Sequence, residues 1–210
     1  MSAQSLYEHL HTVRALLEVA PDDMQILTSC CDKRAIGTRG LNDCTCVVIL
    51  GSSAILLAHI ILFPGASQQY AQRDLNSESY DHHEGVLAGI VRAIEQRSGM
   101  FPVSATKAWG IFAFNKQDGF VRSVYQQVEK HLQVAGFNMK PAFYEEQAPV
   151  ESSPPKGELV AFFNKSGDAE LWLERRRLWP SIQADASPVM KSPDMSTTPV
   201  PADKTTPDTR

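Results

Sequence analysis

Cysteine is scarce in this chain: four among 210 residues, placed as the adjacent Cys30 and Cys31 and then Cys44 and Cys46. That is too sparse for a disulfide-framed secreted domain, and no C-x-x-C pair marks a structural zinc knuckle, so reduced thiols are expected. Basic charge is not in excess either. Twenty Lys and Arg against 24 Asp and Glu leave a net charge of -4, without the positive surface that nucleic acid or an anionic membrane selects. Long hydrophobic runs are also missing. Residues 54–63 form the longest, too short to span a bilayer as a helix, and they already contain His59. The first twenty residues interrupt their apolar positions with Glu8, His9, His11, Arg14 and Glu18, unlike the continuous hydrophobic centre of a signal peptide. These absences lead to the expectation of a cytoplasmic protein with neither nucleic acid nor membrane as a partner.

What is present fits one core. Hydrophobic residues make up 43% of the chain, enough for a single domain with a tail. Leu6, Leu10, Val13, Leu16 and Leu17 recur at helical spacing and Pro21 stops the pattern, which predicts a helix over 5–19 and an N-terminal helical segment over 1–22. A strand is expected over 24–31, and two β-rich runs, 44–50 and 54–63, are separated only by Gly51, Ser52 and Ser53 in the manner of a hairpin. Residues 64–82 read as a polar loop. Helices are expected over 84–95 and 120–134, strands over 107–114 and 137–145, and a closing hairpin over 157–176 around Lys165-Ser166-Gly167-Asp168. The main domain is thus expected over 23–179. Residues 180–210 are rich in Pro, Ser, Thr and Asp and cannot bury enough surface to offset ordering entropy, so a disordered tail is expected there.

The apolar hairpin carries the chemistry. If Gly51-Ser52 forms a two-residue turn of type II′, Leu50 pairs with Ser53 and Cys44 lies directly opposite His59. A four-residue loop instead puts Cys46 opposite His59, with Cys44 on the diagonal of the same face. A three-residue loop turns His59 to the wrong face. A thiol needs a base or positive charge beside it to become a thiolate near neutral pH, and an imidazole supplies one. Two blander readings stand beside this one. Cys44, Cys46 and His59 can be ordinary core residues, or, with His82 or His83 folded back from a polar stretch, ligands of a soft metal. Trp109, Trp172 and Trp179 read as core or sheet-edge aromatics, and Arg175, Arg176 and Arg177 as a solvated end to the last strand. His9, His11 and His131 fall on helices and call for no function.

The stretch Thr38-x-Gly40-Leu41-x-x-Cys44, followed by Ala58-His59-Ile60 with Leu62 and Pro64, resembles the CheD chemoreceptor glutamine deamidases. The spacing from Cys44 to His59 is also similar to that of the cytotoxic necrotizing factor catalytic domains. The resemblance extends more weakly over about residues 28–177. It implies an α/β (α+β) sandwich with a mostly antiparallel or mixed sheet and two to three packed helices. It further implies Cys44 as nucleophile, His59 as general base and acid, Thr38 as the group that orients the imidazole, and no cofactor or metal. Contacts to the oxyanion and substrate are expected around Thr45, Asn42 and Asp43, with a protein glutamine or a small-molecule amide as substrate. Asn42-Asp43 stands where that family has Gly-Ser. A carboxylate beside the thiol opposes its ionisation, and this feature favours the alternative of an inactive binding or accessory protein on the same fold.

Overall fold

A computed structural model of the protein describes residues 5–62, 77–114, 119–145 and 157–180. Ten strands and three helices are seen among them, arranged as an α+β sandwich of two five-stranded sheets. The first sheet has the order β1 (Leu16–Glu18), β3 (Ala35–Thr38), β8 (Leu159–Phe163), β9 (Ala169–Leu173) and β10 (Arg176–Trp179). The second has the order β2 (Asp23–Thr28), β5 (Ala54–Ile60), β4 (Thr45–Leu50), β6 (Lys107–Phe114) and β7 (Met139–Glu145). Only β1·β3 and β6·β7 are parallel, so both sheets are mostly antiparallel.

Alternation within each strand makes the layers. Ile36, Leu159, Ala161, Leu171 and Leu173 of the first sheet meet Leu27, Cys46, Val48, Ile55, Leu57 and Ile111 of the second in the interior of the sandwich. The opposite face of the second sheet, through Val47, Ile49, Leu56, Ala58 and Ile60, is covered by helices α2 (Ser77–Glu95) and α3 (Arg122–Val134). Helix α1 (Leu6–Thr12) covers the outer face of the first sheet through Tyr7 beside Leu16 and Val160. Because both faces of β4 and β5 are covered, every residue of these strands is buried. The unbroken apolar run follows from this position, each buried Leu, Ile or Val contributing about 1.5–3 kcal/mol.

Several boundaries differ from the sequence expectation for identifiable reasons. The N-terminal helix stops at Thr12, well before Pro21, because Arg14 takes a left-handed φ of 56° and the Ala15 amide closes onto the Leu10 carbonyl. Leu16 and Leu17 then join a strand beside β3. Strand β3, which ends at Thr38, is an element the sequence reading does not include. Residues 77–82 are helical, and in the arginine run Arg175 and Arg176 are exposed, as expected, while Arg177 is half-buried. A turn at Glu174, φ 56°, starts β10; there Arg177 meets the Glu170 carboxylate at 3.1 Å and Arg176 donates to the Phe143 carbonyl at 3.0 Å. The loop expectation over 64–76 and the tail from 181 lie outside the described residues. Among the described residues no helix is long and apolar enough to cross a membrane.

Candidate active site

Thr38, Cys44 and His59 are brought together by one crossing of the chain between the sheets. Thr38 ends β3 in the first sheet, residues 39–44 pass across, and β4 then β5 run through the second sheet until His59 returns to the same end. The crossing is pinned at Leu41, whose amide donates to the Gly157 carbonyl at 3.2 Å. Gly157 has a φ of 73°, and a Cβ there would run into the Leu41 backbone, so glycine is required by both conformation and space. Across the sandwich, Thr38 Oγ1 and His59 Nδ1 are 2.7 Å apart, with both residues buried. The sequence-read partner of His59 is therefore its hydrogen-bond partner.

The hairpin register is that of the four-residue connection. Leu50 pairs with Ile55 and Cys46 with His59, so Cys44 is not directly opposite the imidazole, as the two-residue turn predicted, but two residues further on and on the same inner face. The physical reason lies at Gly51. Its φ is not positive, so it does not serve a type II′ turn; it instead makes room for the Met100 carbonyl and the Phe101 ring, while its amide donates to the Ala54 carbonyl at 2.9 Å. Cys46 is fully buried, and burial pushes its thiol well up. Cys44 is buried too but keeps 7% of its surface, where Cys46 keeps none; the exposed thiols are Cys30 and Cys31.

Burial keeps the pair neutral at rest. The Cys44 thiol is pushed up to about 12, by burial first and by the Asp43 carboxylate second, while the backbone amides of Asn42 and Asp43 pull it back. Cys44 Sγ lies 3.9 Å from Asp43 Oδ1. His59 is pushed down to about 4 by burial. If Thr38 accepts the proton of Nδ1, the lone pair sits on Nε2, and this buried nitrogen has no hydrogen-bond partner among the described residues. Leaving such a group unsatisfied costs about 1–3 kcal/mol. The arrangement thus offers a buried, neutral base on the face that carries the thiol. The other expected contacts are spread out. Thr45 is buried within β4, whereas Asn42 is exposed and Asp43 half-buried in the crossing segment.

Two side chains at this end had no signal in the sequence. Tyr144, on β7, donates from its buried hydroxyl to the Cys44 carbonyl at 2.6 Å and so fixes the backbone of the thiol. Asp22 occupies a tight turn in which the Asp23 amide bonds the Ala20 carbonyl at 3.1 Å. With Pro21 before it and a φ of 58°, Asp22 stands where a type II turn prefers glycine, at a cost of about 1–2 kcal/mol. Its Oδ1 accepts from the Ile61 amide at 2.8 Å and lies 3.2 Å from His82 Nε2. A cleft of about 710 Å³ opens beside this turn, lined in part by Glu18, Pro21, Asp23, Thr38, Arg39 and Gly40. His82 and His83 are helical, not loop residues. His83 is wholly buried, with Nδ1 on Gln127 Oε1 at 2.9 Å, and no three His, Cys, Asp or Glu side chains among the described residues are grouped to hold a metal ion.

Two solved structures show limited similarity. One is YfiH, a hypothetical protein of Bacillus licheniformis, at 12% identity and a TM-score of 0.33, covering 52% of this chain and 50% of that one. The other is the C-terminal domain of CNFy from Yersinia pseudotuberculosis, at 8% identity and a TM-score of 0.34, covering 74% and 54%. The chain spans about half the length of each. At these values neither neighbour carries a fold or a function over to this chain. No family model matches the sequence, and no curated protein matches it.

Proposed function

We propose that the protein is a cysteine-dependent amidohydrolase that converts a carboxamide, a glutamine side chain in the first instance, into a carboxylate through a thioester. The observation that carries this reading is the buried 2.7 Å contact between Thr38 and His59, which leaves Nε2 unpartnered on the inner face that Cys44 shares. As the Cys44 sulfur attacks the carboxamide carbon, His59 takes the thiol proton and passes it to the departing ammonia. Water, deprotonated by the same nitrogen, then cleaves the thioester and returns the thiol. Amide groups around Asn42, Asp43 and Thr45 are the donors that this reading assigns to the developing oxyanion. A neutral pair suits this sequence, since a neutral imidazole can accept the proton only as the carbon–sulfur bond forms. The motif from Thr38 to Cys44 and its likeness to the CheD deamidases point to the same chemistry.

Ammonia release from a panel of glutamine peptides and small amides, compared between the wild type and Cys44→Ala, tests the proposal. Turnover that vanishes in Cys44→Ala supports it; release that survives the substitution overturns it. One observation favours a second reading, a binding protein that retains the fold. Asp43 beside Cys44 opposes ionisation of the thiol, and a wild-type protein that releases no ammonia from any amide while Cys44 resists alkylation would fit that reading.

A further inference from the structure

We propose that Asp22, held against Ile61 and His82, is a positioning residue for the Cys44–His59 pair and stabilises the positive charge that His59 acquires when it takes the thiol proton. The inference rests on the reading of Cys44 as nucleophile and His59 as its base. In that reaction a buried imidazole becomes an imidazolium, and its only direct contact at Nδ1 is Thr38, a neutral hydroxyl. A compensating charge must come from elsewhere.

Asp22 is placed to supply it. The carboxylate accepts from the amide of Ile61, two residues beyond His59 and just past the end of β5, so it is tied to the strand that carries the base. Its residue forms the turn that leads into β2, where Asp23 is the register partner of His59. A left-handed φ is more easily met by glycine or asparagine. Asp22 occupies it with its carboxylate turned to the Ile61 amide. Around the pair stand Thr38 from β3, Asp43 and Cys44 from the crossing segment, Cys46 from β4, Asp23 from β2 and His82 from α2. Asp22 is the one charge that draws the His59 midpoint upward, whereas on Cys44 it is the smallest influence, behind burial and Asp43. Asp22 therefore favours the imidazolium and strengthens His59 as a base, while at the thiol it acts in the same direction as Asp43.

The experiment measures the His59 midpoint by NMR and the pH dependence of Cys44 alkylation by iodoacetamide in the wild type, Asp22→Asn and Asp22→Gly. Asparagine keeps the acceptor for Ile61 and tolerates the turn; glycine relaxes the turn and removes the acceptor, so either folded variant decides the matter. Expected is a fall of about 0.5–1 pH unit in the His59 midpoint, with alkylation at pH 7 slowed about three- to tenfold. An unchanged midpoint in a folded variant, or faster alkylation, overturns the assignment. A wild-type Cys44 that is inert to the reagent at pH 7 would instead refute the nucleophile, and the His59 midpoint would still judge Asp22.

Discussion

Two histidines of this protein share the same burial and differ in what packs around them. His59 and His83 are both fully buried, both engage Nδ1 with a neutral side chain, both leave Nε2 without a partner among the described residues, and both are pushed down to about 4 by burial. His59 lies between the sheets with two thiols on its face and a cleft lined by its partner Thr38. His83 lies between α2 and α3, where Gln127 holds its ring and also donates toward Glu84 at 3.4 Å, and Glu84 meets His131 at 3.3 Å. A displaced midpoint alone therefore does not mark a catalytic group. What separates the two is a pair of thiols on the same face and a hydrogen-bond partner that lines a cleft.

Replacing each histidine by alanine gives the sharpest contrast. His59→Ala should slow alkylation of Cys44 at pH 7 by about 10²–10⁴-fold, the range for a lost general base, whereas His83→Ala should leave the rate within about twofold. Peptide mapping after iodoacetamide treatment reads both. Equal losses in the two variants would mean that they act through a loosened fold, and the distinction between the sites would collapse.

Stability against pH tests what the histidines have in common. A midpoint displaced from 6.5 to about 4 corresponds to about 3 kcal/mol for each ring. The fold holds the neutral form, so this stability is fully present above pH 6.5 and is lost as the pH falls from 6.5 toward 4. Urea unfolding across that window should show the steepest loss in the wild type and about half of it in His83→Gln. A wild-type profile that is flat from pH 7 to 4 would show that neither ring is held neutral.

How far the sequence could be read depends on whether a feature is local. β4 and β5 were legible because strands covered on both faces leave a continuous apolar run, and β6 because Lys107–Phe114 is an isolated one. Short edge strands were not: Leu16 and Leu17 suit a helical face as well as a three-residue strand, and only pairing with Ala35–Gly37 decides between them. Cys44 and His59 were legible as sharing a face, but the choice between a two-residue and a four-residue connection was not, since Gly51 serves packing against Met100 and Phe101, contacts from a distant loop. His83 is buried, but its polar flanks hide this in the sequence. It stands four residues before Leu87, on the stripe that continues through Ile90 and Ile94, and that spacing was the available signal. Asp22 and Tyr144 reach the site through bonds spanning 39 and 100 residues, which no local pattern announces.

The smallest effect separates the two rings at their hydrogen bonds. Thr38→Val removes the hydroxyl from His59 Nδ1 while keeping the shape of the side chain, so the ring loses its orientation but the thiol and base both remain. Alkylation of Cys44 should slow by about tenfold, less than for loss of the base itself, because orientation contributes less than proton transfer. Thr38→Ser, which restores the hydroxyl, should recover most of the rate. Gln127→Leu makes the matching cut at His83 and should lower stability by about 1–3 kcal/mol without changing the rate, since the ring it strands faces no nucleophile. If serine failed to rescue, or if Gln127→Leu slowed alkylation as much as Thr38→Val, the Thr38 contact would be a packing feature of the sandwich rather than a support for the base.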